Sequence, residues 1–393
     1  MATEDNVAAG DALRALLLQT LENEPELVRA AQRHEFEMLA TPPVTTVIVF
    51  GAGRIGRITA GLLKKSDALQ VYFCDNRLGP LGGEIDGIPM LSPQDAFARF
   101  GATAVFVACV LTASPLINQL RDAGCSKVVS VAALYRGLPE ILPPYFCLDH
   151  PDAIFAERDD VLAAFDLWAD DESREEYVNL VRWHVRDRYE TLPRLHMSDE
   201  TYFPRDIMPA GCISRFVDCG AYDGDILKIL IAGHSDDIDR IAAFEPDPRN
   251  LEKLETYLTS LTADLRSRIS VEPYAVSSTY ETVRFSTEGD ASAMNTEGDL
   301  AVECVPLDEH LSDFEPTFIK MDIEGAEPLA LNGAARLLRN HEPFLAISVY
   351  HKLEHLWQIP LLIRSINPGY RLYFRRYAED CWETVCYAVA KTD

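Results

Sequence analysis

No two cysteines in this 393-residue chain take the C-x-x-C spacing of a zinc or redox site, so its nine cysteines name neither chemistry. Their odd number and scatter point to reduced thiols, and Cys109, at the end of the run Val105-Phe106-Val107-Ala108, is expected to pack as a small core residue. No apolar run reaches membrane-spanning length. The opening Met1-Ala2-Thr3-Glu4-Asp5 lacks the basic-then-apolar order of an export signal, so a cytoplasmic location is expected. Basic residues are scarce, 36 against 62 acidic ones, and the net charge of -26 would repel a phosphate backbone or an anionic membrane surface. Neither nucleic acid nor a membrane is therefore expected as a partner, whereas a small acceptor is easily admitted. The chain has no repeat and no low-complexity tract.

What is present is an ordinary globular composition, 48% hydrophobic and 25% charged, long enough for two domains and connecting helices. Residues 1–42 carry Leu13, Leu16, Leu17, Leu21, Leu27 and Val28 at helical spacing, which predicts amphipathic helices packed on a neighbour or on a second subunit, before Thr41-Pro42-Pro43 breaks them. A homo-oligomer joined through these helices is one expectation. Residues 43–145 alternate strand-like runs, Val47–Phe50, Val71–Cys74, Ala104–Val107 and Lys127–Ser130, with helical stretches, the pattern of a parallel α/β unit. After Pro143-Pro144, residues 146–210 form a helical linker; Phe165, Trp168, Tyr177, Leu180, Val181 and Trp183 give the stretch to Tyr189 an apolar face. A second α/β series fills residues 211–393. Its last two strands, Arg371–Phe374 and Glu383–Tyr387, have no helix-length segment between them and are expected to pair antiparallel at one side of a parallel sheet.

Each α/β unit has a glycine turn after its first strand. In the first, Gly51-Ala52-Gly53-Arg54-Ile55-Gly56 opens a helix and Asp75 ends the next strand. Gly51, Gly53 and Gly56 would let a pyrophosphate approach the helix N-terminus while Asp75 accepts from ribose hydroxyls, so NAD or another nucleotide is one reading. The other is that packing alone demands the glycines and the turn binds nothing. The stretch Gly87–Pro93 resembles small nucleotide-binding domains on sugar-modifying enzymes.

The second turn, Asp218-Cys219-Gly220-Ala221-Tyr222-Asp223-Gly224, has a different spacing and suggests a ligand without a pyrophosphate. S-adenosylmethionine brings a sulfonium cation and an amino-acid end, for which Asp218 and Asp223 beside Gly220, Ala221 and Gly224 make electrostatic sense. The next strand ends in Phe244-Glu245-Pro246-Asp247-Pro248, where Glu245 is placed to hold ribose hydroxyls and Pro246 to fix the turn.

These stretches, with Cys304-Val305-Pro306-Leu307-Asp308 and Ile319-Lys320-Met321-Asp322-Ile323-Glu324-Gly325-Ala326-Glu327, resemble the FkbM-type methyltransferase family over about residues 214 to 390. The resemblance implies an α/β fold of two Rossmann-like domains, the C-terminal one a seven-stranded class I methyltransferase sheet with an antiparallel final strand. It also implies S-adenosylmethionine as cofactor, with Gly220 and Asp223 along it and Tyr274-Ala275-Val276 bordering the adenine. The reaction implied is O-methylation of a sugar or sugar-containing natural product, the acceptor being a glycoside or nucleotide-linked sugar. At Asp223 the family commonly has Asn, so this chain carries extra negative charge there.

Asp322 ends an apolar strand and should point into the cleft, Glu324 follows it, and His351 stands at the tip of the strand running from Phe344 to Tyr350. Methyl transfer needs an aligned acceptor oxygen and removal of its proton. His351 is the expected base, with Asp322 orienting it or binding the acceptor and Glu324 beside them; a capping His351 and a helix-start Glu324 are the structural alternatives. A divalent metal on Asp308, Asp322, Glu324 and His351 is a further arrangement that the spacing does not establish, and no metal is expected. Two other functions stay open, a bifunctional or NAD-dependent sugar-modifying enzyme and a non-catalytic cofactor-binding scaffold.

Overall fold

The computed structural model describes residues 2–39, 45–146, 148–185, 191–193, 196, 200–286, 293–294 and 300–391. The break at Thr41-Pro42-Pro43, and with it the boundary at 42–43, and the end of the helical stretch at Tyr189 lie outside them.

Apolar runs with too few polar alternations to face water become strands covered on both sides. In the first unit these are β1 (Thr46–Phe50), β2 (Gln70–Cys74), β3 (Glu84–Ile85), β4 (Ile88–Leu91), β5 (Val105–Ala108) and β6 (Val128–Ser130). They form one sheet in the order β3-β4-β2-β1-β5-β6, parallel except for the β3–β4 hairpin. That hairpin grows from the Gly87 turn at φ +68°.

The second sheet holds β7 (Arg215–Cys219), β8 (Arg240–Phe244) and β9 (Ile269–Glu272). A small mixed sheet follows, of β10 (Ala275–Val276), β11 (Glu281–Ser286), β12 (Ala293–Met294) and β13 (Leu300–Val305). The chain then returns with β14 (Phe318–Met321), β15 (Phe344–Ser348), β16 (Tyr370–Arg376) and β17 (Thr384–Ala390). The seven-stranded order is β16-β17-β15-β14-β7-β8-β9, and β17 alone runs against its neighbours, as its pairing with both β15 and β16 shows. Two consequences locate the site. The parallel strands all end at one edge, where such sheets bind ligands. Because β17 is reversed, its beginning lies at that same edge.

The linker is welded to the second sheet. Trp168 and Tyr177 pack on Phe374 of β16 with ring centroids 5.2 and 5.7 Å apart, and the buried guanidinium of Arg376 meets Glu176 at 3.1 Å. Full burial of a side chain such as Phe374 contributes about 1.5–3 kcal/mol. The N-terminal helices α1 (Ala2–Leu21) and α2 (Pro25–Leu39) lay their apolar stripes on this chain's own helices, α1 on Asp171–Val185 and α2 on Val131–Gly137. Gly137 has no side chain because the Phe36 ring takes that space. One apolar core consequently runs from the first sheet through the linker to one face of the second. No described helix is long and apolar enough to cross a membrane. Among the described residues seven cysteines are free thiols, but Cys381 is disulfide-bonded, which corrects the expectation of reduced thiols throughout.

Candidate active site

A cleft of about 730 Å³ opens at the carboxyl edge of the seven-stranded sheet, with the first unit forming part of its wall. Gly220, directly after β7, lies at φ +87°, and a Cβ there would collide with the carbonyl oxygen of Asp322. Glycine alone lets the tips of β7 and β14 close together here. Beneath the turn, Lys320 Nζ reaches Asp218 Oδ1 at 2.9 Å and donates to the Gly220 carbonyl at 2.7 Å. Burial pushes the Asp218 carboxyl up to about 6 against the pull of Lys320.

Asp218 is thus buried below the turn and absent from the cleft wall, a correction to its expected contact with the cofactor. Its part is to anchor the lysine that holds the turn. Ala221 is likewise buried behind the turn, and Gly224, at φ +82°, backs onto Leu254 and Tyr257. Asp223 pairs with Lys228 at 3.1 Å outside the cleft, and the carboxylate that does line it is Asp225, in the first turn of helix Asp225–His234.

Glu245 lies in the cleft wall at the tip of β8. The Tyr222 N–H donates to its Oε2 at 2.9 Å and the Asp247 N–H to its Oε1 at 2.8 Å, with the Asn250 amide also donating to Oε1 at 3.5 Å, which fixes the carboxylate at the cavity wall. Burial pushes its pKa up, opposed by those N–H donors. Pro246 and Asn250 stand beside it, and Phe244, Tyr274, Ala275 and Val276 form an apolar wall. Tyr274 is braced edge-on against His310, 5.2 Å between centroids.

At the other end stands Asp322. His351 Nε2 lies 3.1 Å from its Oδ1, Tyr202 Oη donates to its Oδ2 at 2.9 Å, and Tyr350 Oη reaches Oδ1 at 3.4 Å. The far nitrogen of His351 meets Glu327 at 2.8 Å. Burial pulls the imidazole down, but Glu327 and Asp322 outweigh it and hold His351 protonated, well above its ordinary value. Burial likewise pushes Asp322 up, yet His351 holds it well below the carboxylate range. An imidazolium donating from both nitrogens has no lone pair for a proton or a metal. Both ring nitrogens of His351 thus face carboxylates and the ring is absent from the cleft wall, which counts against the expectation of His351 as base.

Ligand-type atoms of Asp322, Glu327 and His351 do lie within 4.8 Å of one another, but that hydrogen-bonded chain already uses the ring. The four-residue metal arrangement does not assemble, because the Asp308 carboxylate caps the backbone of Arg336 and Leu337. Glu324 lines the cleft at φ +56° and pairs with Arg54 at 3.2 Å.

Arg54 belongs to the first glycine turn. There a Cβ on Gly56 would strike the Gly51 carbonyl, and one on Gly51 would lie 2.8 Å from the Cys109 carbonyl, so packing accounts for both glycines; Gly53 faces open space. Asp75 turns its carboxylate toward the backbone of its own turn. It accepts from the N–H groups of Ala52, Arg77 and Leu78 at 3.1, 2.8 and 2.9 Å. Burial raises its pKa, but those donors bring it below its ordinary value. Nothing in the structure supports the NAD or nucleotide reading of Gly51, Gly53, Gly56 and Asp75, and the turn presents Arg54 to the cleft of the second unit.

Tyr202, Lys320, Tyr350 and Glu383 also line the cleft, beyond the site residues expected from the sequence. Lys320 was legible as a lone cation in an apolar strand beside Asp322. Tyr202 and Glu383, in positive-φ turns far along the chain, carried no spacing signal.

The strand order with a reversed β17, and a cleft at the carboxyl edge, define a methyltransferase fold. Residues 218–377 match the family model described as Methyltransferase FkbM domain, and the C-terminal unit is a methyltransferase domain of that kind. The crystal structure of Methyltransferase FkbM from Methylobacillus flagellatus KT shares the fold over 98% of this chain and 98% of its own, at 24% identity and a TM-score of 0.69. Similarity to the precorrin-6y C5,15-methyltransferase from Geobacter metallireducens GS-15 covers 51% of this chain and 94% of that one, at 11% identity and a TM-score of 0.30. For an SAH-bound methyltransferase from Podospora anserina the figures are 49%, 85%, 12% and 0.29. No curated protein matches the chain.

Proposed function

We propose that this protein uses S-adenosylmethionine to methylate a hydroxyl group of a sugar or sugar-containing small molecule. One observation carries the reading: Glu245, clamped by two backbone N–H groups at a strand tip, faces the cavity between the Gly220 turn and the apolar wall of Tyr274, Ala275 and Val276. A carboxylate for a ribose diol, an apolar slot for a purine and a glycine turn for the amino-acid end suit an adenosyl ligand. Asp225 and Asp322 add the negative charge that a sulfonium and an ammonium favour.

The same charge bears on the acceptor. Five carboxylates line the cleft, Asp225, Glu245, Asp322, Glu324 and Glu383, against two cations, Arg54 and Lys320. Arg54 is already paired with Glu324 and Lys320 with Asp218. That excess supports a neutral glycoside over a diphosphate-linked sugar.

Calorimetric titration with S-adenosylmethionine and S-adenosylhomocysteine tests the cofactor, and micromolar uptake of both is expected. Incubation with methyl-labelled cofactor and matched panels of free glycosides and nucleotide sugars, read by mass spectrometry, tests the acceptor. Folded protein that takes up neither cofactor form would end this reading, and label confined to nucleotide sugars would reverse the choice of acceptor.

A further inference from the structure

The cleft carboxylates divide by what already holds them. Asp322 has His351 and Tyr202, Glu324 has Arg54, Glu245 has two backbone N–H groups, and Asp225 accepts from the N–H of Ile226 at 2.7 Å. Glu383 differs. Among the described residues no group hydrogen-bonds its carboxylate, although it lines the cleft alongside Tyr350, Tyr377 and Asp322.

Its placement follows from the topology. Because β17 runs against the other strands, the residue before it arrives at the edge where β14 delivers Asp322 and β15 delivers Tyr350. Glu383 sits there at φ +50°, a conformation that a non-glycine residue adopts only when its surroundings impose it. The Tyr377 N–H donates to the Glu383 carbonyl at 3.0 Å and fixes the turn.

Resting on the methyl-transfer reading above, we propose that Glu383 is the catalytic base that takes the proton of the acceptor hydroxyl. The acceptor oxygen forms its bond to the methyl carbon, the carbon–sulfur bond breaks with its electron pair remaining on sulfur, and the hydroxyl proton passes to the Glu383 carboxylate. Asp322, His351, Asp225 and Lys320 are the charged groups that bear on it, with the phenols of Tyr202 and Tyr350 close by. Burial, with Asp322 adding to it, pushes the Glu383 carboxyl up to about 7. A base near neutrality combines a usable ionised fraction with a real affinity for the proton.

The test compares wild type with Glu383→Gln and Glu383→Asp. S-adenosylhomocysteine binding should be unchanged in Glu383→Gln, while label transfer to the glycoside panel at pH 7.5 falls by roughly 10²–10⁴-fold in kcat. Glu383→Asp should keep part of the rate and its rise with pH. Two readouts need no acceptor. In ¹³C-labelled protein one carboxyl resonance should titrate with a midpoint near 7 and be missing from Glu383→Gln. A carboxyl whose pKa is raised on folding loses stability as pH climbs from its unfolded value to the folded one. Glu383→Gln should therefore melt higher than wild type at pH 8 and alike at pH 4.5. A folded Glu383→Gln that binds S-adenosylhomocysteine and turns over within a few-fold of wild type would overturn the assignment alone, as would a Glu383 carboxyl titrating between 4 and 5. Wild type that fails to bind S-adenosylhomocysteine would instead sink the methyl-transfer reading beneath it.

Discussion

His351 and Asp322 meet at 3.1 Å, Nε2 to Oδ1, while the other ring nitrogen of His351 lies 2.8 Å from the fully buried Glu327. The imidazolium thus transmits the position of a buried carboxylate to one that faces the cleft. His351→Gln should lower kcat by about 10-fold to 10²-fold through misplacement of Asp322, leaving S-adenosylhomocysteine affinity intact. Wild-type dependence of rate on pH should persist in the variant. Disappearance of that dependence would restore His351 to the role of base.

The same contacts set a pH dependence of stability. The pKa of His351 is higher folded than unfolded, so its contribution is complete below the unfolded value of about 6.5 and is lost as pH rises through the folded one. Asp322 is shifted the other way, and its contribution is lost on acidification below about 3.8. The melting temperature of wild type should exceed that of His351→Gln most between pH 5 and 6.5, with the gap narrowing toward alkaline pH. Thermal melts from pH 4 to 10 measure it, and a gap that widened with pH would refute the charged imidazole.

Much of this frame was legible in the sequence, and the limits have a physical origin. Apolar runs that end in a carboxylate announce strand tips, which is how Glu245 and Asp322 could be placed. Whether a side chain on such a strand faces the cavity or the layer beneath is decided by pleat and by its partner. Asp218, two residues before Gly220, is turned under by Lys320, 102 positions later. His351 likewise depended on Glu327, the first residue of the helix Glu327–Gly333, which serves as the far anchor of an imidazolium. In the first unit the glycine spacing correctly announced a strand-turn-helix, and the packing of Gly51 and Gly56 against carbonyl groups of their own chain accounts for that spacing without a ligand.

Glu245→Ala should weaken S-adenosylhomocysteine binding by about 10-fold to 10²-fold, since a hydrogen bond to a charged group contributes about 1.5–3 kcal/mol. Glu245→Gln keeps the shape and loses the charge, so it should fall in between. Calorimetry at fixed pH distinguishes the three proteins. Equal affinity in all of them would move the ribose elsewhere.

Arg54 tests whether the first unit contributes to the acceptor end. Its guanidinium lies 5.3 Å from the Phe146 ring centroid and 3.2 Å from Glu324, and Leu111 and Thr112 line the cleft from the same unit. Arg54→Ala should raise the acceptor KM several-fold and leave S-adenosylhomocysteine affinity unchanged. Steady-state kinetics on the best glycoside from the panel would show it. A variant altered only in cofactor binding would assign Arg54 to the adenosyl end.

Lys320→Met addresses the anchor under the glycine turn. It leaves Asp218 buried without its counter-charge, and breaking a buried pair from one side costs about 3–5 kcal/mol. The orphaned carboxyl escapes by taking a proton. With its folded pKa pushed further above the unfolded value, Lys320→Met should lose stability as pH rises and recover it on acidification. Urea melts at pH 5 and pH 8 should therefore show the smaller deficit at pH 5. Adding Asp218→Leu removes the orphaned charge and should return most of the lost stability, because matched apolar replacements of buried ion pairs are often near neutral. A single variant within about 1 kcal/mol of wild type at pH 8 would mean that water reaches Asp218 and that the pair does not hold the turn.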